Sequence, residues 1–170
     1  ILINGPIADH GMAVMTKREG LKIESEIKSD CASLASLAAH LASAVPGIKF
    51  MRDATRGGLG AVLCEAAEDA NFGIELDEEA IPLREGTLAA CELLGIDPLY
   101  VANEGKLVAV VPKDDAAVAL ASMQSHPLGK EASIIGRATE ENPGKVLLKT
   151  SIGSRRIVAM PSGEQLPRIC

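Results

Sequence analysis

Aromatic side chains are nearly missing from this sequence, which has one Tyr, two Phe and no Trp in 170 residues. Its core must therefore be assembled from Ala, Leu, Ile and Val, drawn from a chain that is 47% hydrophobic. An excess of positive charge is missing as well: 17 Lys and Arg face 23 Asp and Glu, for a net charge of −6. That balance argues against a general nucleic-acid binder, whose phosphate contacts need a basic footprint. No apolar run approaches the roughly 20 residues of a membrane helix. Asp9, His10, Lys17 and Arg18 interrupt the start of the chain, so no secretory signal is expected there. The expectation is a soluble, cytoplasmic protein with one domain's length. Because Ile1-Leu2-Ile3 opens like a strand in mid-sheet, the chain is further expected to be the carboxy-terminal part of something longer.

The cysteines are few and scattered. Cys31, Cys64, Cys91 and Cys170 form no C-x-x-C pair and have no His at metal-ligand spacing. A chain of this size with an ordinary core does not call for a disulfide framework. Cys31 shares a helical face with Leu34, Ala38 and Leu41, Cys64 sits among small residues, and Cys91 falls between Leu88 and Leu94. All three are expected to be small buried hydrophobes. Cys170 differs, because nothing follows it to bury it.

What is present is an alternation of two periods. Strands are expected at 1–4, 48–53, 72–76 and 106–111, with further extended pieces near 132–139, 145–150 and 155–160. A short helix or turn-rich connection is expected at 10–19, and helices from a Ser29-Asp30 cap to about Val45, from Gly57 to about Ala70, from Pro82 to Leu94, and over 114–124. Strands separated by helices, with a late run of strands, predict an α/β (α+β) fold of helices layered on a mixed sheet, over residues 1–160. The pattern stops after Met160. Residues 161–170 have two prolines, one glycine and no period, and read as an exposed tail. Ten extended residues reach about 30 Å, far enough to carry the Cys170 thiol to another domain or subunit.

Three segments can carry chemistry. Arg52-Asp53-Ala54-Thr55-Arg56-Gly57-Gly58 lies where a strand gives way to a helix, the place where α/β sheets dock ligands. Gly57 and Gly58 permit close backbone approach, and the following helix start offers N–H groups to an anion. The Asp53 carboxylate can hold Mg2+, and Thr55 can bond a phosphate or the metal's water. The same residues read equally well as a helix entry with flexible glycines, and they form neither a Walker A loop nor a G-x-G-x-x-G fingerprint. Asn103-Glu104-Gly105-Lys106 enters the most apolar strand, where a carboxylate can serve as a base; a plain turn is the other reading. Asp9-His10-Gly11 can orient a ligand or form a structural pair. His126 marks a helix-ending turn, and His40 lies in a helix with no partner evident.

Taken together and in order, Asp9-His10-Gly11-x-Ala13, Arg52 to Gly58, Asn103 to Lys106, His126-Pro127-Leu128-Gly129 and the terminal Pro167-Arg168-Ile169-Cys170 are familiar. The chain resembles the carboxy-terminal half of the HypE family, carbamoyl dehydratases of nickel–iron hydrogenase maturation, within the AIR-synthase-related superfamily. The glycine-rich segment specifies only the superfamily; the Pro-Arg-Ile-Cys terminus singles out the maturation family. The resemblance implies that a carbamoyltransferase (HypF) loads a carbamoyl group on Cys170, and that ATP then drives dehydration of the thiocarbamate to a thiocyanate. The cyanide would pass to a HypC–HypD scaffold complex for the hydrogenase iron. It also implies that the family's amino-terminal half supplies most ligands for ATP and Mg2+ and forms a homodimer. The resemblance implies that Cys170 is catalytic; for the chemistry it implies, Glu104 is the expected base, and Asp53, Thr55, Arg56, Gly57, Gly58 and Asn103 are expected to bind nucleotide or phosphate. Asp9, His10, Gly11 and Lys106 give support. The alternatives are a selenophosphate-synthetase-like enzyme acting on an ATP-activated small molecule, and a non-catalytic docking module.

Overall fold

The computed structural model describes residues 1–20 and 27–160. Residues 161–170, including Cys170 and the expected tail, lie outside the described residues. Among the described residues, eight strands form two four-stranded sheets. In the first, β2 (Phe50–Asp53), β4 (Leu107–Val110), β1 (Leu2–Ile3) and β5 (Ser133–Ile134) are adjacent in that order and antiparallel throughout. In the second, β6 (Gly136–Thr139), β3 (Gly73–Asp77), β7 (Val146–Lys149) and β8 (Arg155–Val158) are adjacent in that order. Only β3 and β7 run parallel, so this sheet is the mixed one.

Among the described residues, five α-helices cover the sheets: α1 (Asp9–Arg18), α2 (Ala35–Ala44), α3 (Gly58–Asp69), α4 (Glu85–Leu94) and α5 (Ala116–Ser125). The period-2 alternation of strand side chains sorts the core into two parts. Leu107 and Ala109 of β4, with Leu2, face Leu37, Leu41, Ala119 and Met123 of α2 and α5. Val108 and Val110, with Ile3, face the other way, onto Met12, Leu59, Leu63 and Cys91 of α1, α3 and α4. Ile74, Leu76, Val146, Leu148 and Val158 of the second sheet close this larger core. Small residues let it close: α3 presents Gly60, Ala61, Ala66 and Ala67, and the missing side chain at Gly60 leaves room for the Tyr100 ring. Among the described residues no helix is long and apolar enough to cross a membrane.

Four local expectations are corrected. The extended piece 132–139 is two strands, because Ile135 crosses between the sheets: its N–H donates to the Ile1 carbonyl (2.9 Å) and its carbonyl accepts from Asp77 (3.0 Å). Helix α4 begins at Glu85 instead of Pro82, because the Pro82 carbonyl accepts the Ile7 N–H at 3.0 Å. Helix α2 begins at Ala35, with no side-chain cap, and Asp30 turns inward to a different task. Cys31 consequently lies before the helix, and it is exposed. Cys64 and Cys91 are buried as expected.

Candidate functional site

Two of the three segments singled out in sequence, Arg52 to Gly58 and Asn103 to Lys106, meet because β2 and β4 are antiparallel neighbours. Their register sets Asp53 opposite Leu107, so the end of β2 lies beside the start of β4. Past that pair the chains remain laced: the Ala54 N–H donates to the Lys106 carbonyl (2.9 Å), and the Asn103 N–H to the Ala54 carbonyl (3.2 Å). Asp53 and Arg56 are exposed, Thr55 and Glu104 half-buried, and Gly58, Asn103 and Lys106 buried. The result is a shallow surface with a carboxylate, a hydroxyl, a guanidinium and a second carboxylate on adjoining turns.

Asn103 is the fastener of this surface. Fully buried, it accepts the Ala8 N–H on Oδ1 (2.8 Å) and donates from Nδ2 to the Ala54 (2.8 Å) and Val101 (3.1 Å) carbonyls. Both of its donor hydrogens are thereby engaged with backbone. It binds the start of α1, where Ala8 is held at φ 72°, to the end of β2. Its place is behind the surface, holding the two turns in register.

The glycines have a structural duty of the same kind. Gly57 and Gly58 take positive φ values of 79° and 64° at the entry to α3. A Cβ at Gly58 would stand 2.5 Å from the Leu99 carbonyl oxygen and 2.6 Å from that of Val101. A Cβ at Gly11 would collide with the Val101 side chain. Replacing Gly58 by Ala is expected to cost about 2–4 kcal/mol, from collision with backbone added to left-handed strain. The matched control is Gly153→Ala, which has φ 83° and nothing within 4 Å and so meets the strain alone. Thermal unfolding of both variants checks this; equal shifts would show that contact with residues 99–101 is not what requires Gly58.

The supporting residues are distributed differently from one another. Asp9 is buried and spends its carboxylate on α4, accepting from Arg84 Nε (3.0 Å) and Thr87 Oγ1 (2.6 Å). It fastens α1 to α4. His10 contacts Ser29 Oγ through Nδ1 at 2.9 Å, while its Nε2 is buried with no hydrogen-bond partner among the described residues. Lys106, expected only as support, forms an ion pair with Asp30 (Nζ to Oδ2, 2.9 Å) whose side chains are 10% and 4% exposed. Asp30 is the participant that sequence reasoning missed, having been assigned to a helix cap. A lysine opening an apolar strand was the available signal, since a buried ammonium requires an anion. The histidines outside the site are structural: His126 accepts the Leu128 N–H at 3.2 Å, and His40, which does have a partner, contacts Ser125 Oγ at 3.0 Å.

Thiol chemistry separates the cysteines. Burial, reinforced by nearby carboxylates, pushes the Cys64 and Cys91 thiols up to about 11, leaving almost no thiolate at neutral pH. For a metal, no three His, Cys, Asp or Glu gather among the described residues. Mg2+ bound to phosphates commonly takes only one or two protein carboxylates, and exposed Asp53 can be one such hard oxygen ligand. Among the described residues Asp53 fits such a metal as one ligand beside the phosphates.

Antiparallel and mixed sheets covered by helices, with small residues in the packing and a Gly-Gly entry beside a polar strand start, define the fold class. The chain belongs to the family of the AIR synthase related protein, C-terminal domain, which its residues 1–149 match. It is 54% identical over 171 residues to the carbamoyl dehydratase HypE of Bradyrhizobium diazoefficiens, covering 100% of this chain and 49% of that protein. A crystal structure of the hydrogenase maturation protein HypE in complex with ATP superimposes with a TM-score of 0.94 at 38% identity, covering 99% of this chain and 52% of that one. HypE in a crystallised HypE–HypF complex gives 0.89 at 46% identity, covering 94% and 52%. The chain thus spans about half the length of the curated relatives it matches.

Proposed function

We propose that this chain is the carboxy-terminal half of an ATP-dependent carbamoyl dehydratase acting in the cytoplasm, which turns a thiocarbamate carried on Cys170 into a thiocyanate. The cyanide so made would serve the iron of a nickel–iron hydrogenase, by way of a HypC–HypD scaffold. The observation that carries this reading is the similarity to proteins named carbamoyl dehydratase HypE from one end of the chain to the other. The relatives crystallised with ATP and with HypF support nucleotide as co-substrate and a carbamoyltransferase as partner.

The chemistry asks for what this surface offers. The substrate is S–CO–NH2 on the sulfur of Cys170. Its carbonyl oxygen attacks the γ-phosphorus of ATP, the bond to ADP breaks, and one proton leaves nitrogen, giving an S–C(=NH)–O–phosphate. The C–O bond then breaks, phosphate departs, the second nitrogen proton is removed, and S–C≡N remains. Phosphoryl transfer is mainly positioning and charge neutralisation. Asp53, Thr55 and Arg56 at the open end of β2 would hold phosphate oxygens or their Mg2+, which when bound neutralises charge on the phosphates. Glu104, on the adjoining turn, would take the nitrogen proton. Gly57, Gly58 and Asn103 set the backbone that presents these groups, with Gly11 and Lys106 packed behind. His10, held through Nδ1 by Ser29, would offer Nε2, which has no hydrogen-bond partner among the described residues.

Asp53→Asn in the full-length protein separates this reading from a docking module. Removing one charged contact of about 1.5–3 kcal/mol lowers ATP turnover roughly 10- to 100-fold if Asp53 works on the nucleotide or its metal. Turnover equal to the parent protein would place the nucleotide chemistry elsewhere.

A further inference from the structure

The loop that carries Glu104 is held from one side by a single segment, residues 30–32. Asp30 Oδ1 accepts the Glu104 N–H at 3.0 Å, and the Glu104 carbonyl accepts the Ala32 N–H at 3.3 Å. Both backbone polar groups of one residue are thus tied to the same distant stretch of chain. Asp30's other oxygen pairs with Lys106 Nζ at 2.9 Å, two residues beyond Glu104. Between the two, Gly105 lies so near the Asp30 carbonyl that a Cβ there would collide with it. On the opposite side, Asn4 receives the Leu107 N–H (2.7 Å) and donates to the Gly105 carbonyl (3.1 Å). Residues 104–107 are therefore gripped between two buried polar side chains from elements far away in sequence.

An ion pair this deeply buried is a poor source of stability, because desolvating both charges cancels much of their attraction. A turn needing only to enter β4 would be served as well by apolar residues. What the pair does accomplish is geometric: with Lys106 holding one carboxylate oxygen, the other is fixed at the Glu104 N–H. We infer that Asp30 is a positioning residue for Glu104, its carboxylate oriented by Lys106 and its hydrogen bond setting where the Glu104 side chain stands. The inference rests on the reading of Glu104 as the base of the proposed dehydration.

Two double variants of the full-length protein test it, both removing the charge pair so that no buried ion is left alone. Asp30→Asn with Lys106→Met keeps an oxygen acceptor for the Glu104 N–H; Asp30→Leu with Lys106→Met keeps the branched shape and removes the acceptor. Each is carbamoylated with carbamoyl phosphate and the carbamoyltransferase, then mixed with saturating ATP, and loss of water from the adduct is followed by mass in a single turnover. The Asn variant, which keeps the acceptor but loses the ammonium that orients it, is expected to react about tenfold more slowly than the parent protein, and the Leu variant about 10²-fold more slowly, the scale of a misplaced reacting group. ATP binding, measured separately, should be unchanged in both. Adding Glu104→Gln to the Leu variant should produce no further loss, since Asp30 acts through Glu104. Equal rates for the two double variants, or a further loss on adding Glu104→Gln, would overturn the inference. If Glu104→Gln by itself reacts at the parent rate, it is the role of Glu104 as base that fails, a result distinct from either.

Discussion

Replacing Cys170 with Ala in the full-length protein is expected to abolish formation of the carbamoyl and cyano adducts altogether. The proposed substrate is covalently part of the chain, so removing its anchoring sulfur removes the substrate and not merely a rate factor. The structure supplies the necessary control. Cys64 and Cys91 are buried thiols with their acidity suppressed, but Cys31 is exposed and lies between Asp30 and Ala32, against the Glu104 turn. Cys31→Ser should leave adduct formation intact. Whole-protein mass after incubation with carbamoyl phosphate, the carbamoyltransferase and ATP reads both variants. An adduct surviving in Cys170→Ala and lost in Cys31→Ser would transfer the acceptor role to Cys31.

The next largest effect is expected from Glu104→Gln, which preserves shape and hydrogen-bonding capacity while removing the ability to accept a proton. A positioned base contributes about 10²- to 10⁴-fold, so dehydration should slow by that factor while carbamoylation proceeds normally. The carbamoylated protein would then accumulate when ATP is present. Single-turnover mass measurement distinguishes this from failure of the first step. An unchanged dehydration rate would remove the base from Glu104.

Much of this architecture was legible in the chain because local pattern and tertiary fate agree. Leu107–Val110 reads as a buried strand and is one, with all four residues buried, since a short apolar run has few other places to go. Gly95 ends α4 in the left-handed conformation its residue type favours. The motif segments around Asp53 and Glu104 stood out separately in sequence, but only the antiparallel register of β2 with β4 places them side by side. Asp30 was misjudged for a related reason. Ser29-Asp30 before an apolar period is a sound capping signal, whereas the claim of Lys106 on that carboxylate spans 76 positions and leaves no local trace. The same failure misplaced Cys31, since a helix starting at Ala35 leaves it outside the face it was assigned to. The division into two sheets was likewise hidden, because Ile135 looks like any other residue of an extended run. Asn103 was read as a ligand-binding amide; its side-chain bonds go to backbone, a destination that residue type alone does not announce.

The account stands on the sulfur of Cys170 as the place where the chemistry happens. The most direct measurement is a time course of the C-terminal peptide's mass, taken from the full-length protein incubated with the carbamoyltransferase and carbamoyl phosphate, first without and then with ATP hydrolysis downstream of loading. The account predicts that the peptide gains a carbamoyl group and afterwards loses one molecule of water as ADP appears. A terminal peptide that stays unmodified while ATP is consumed would contradict it.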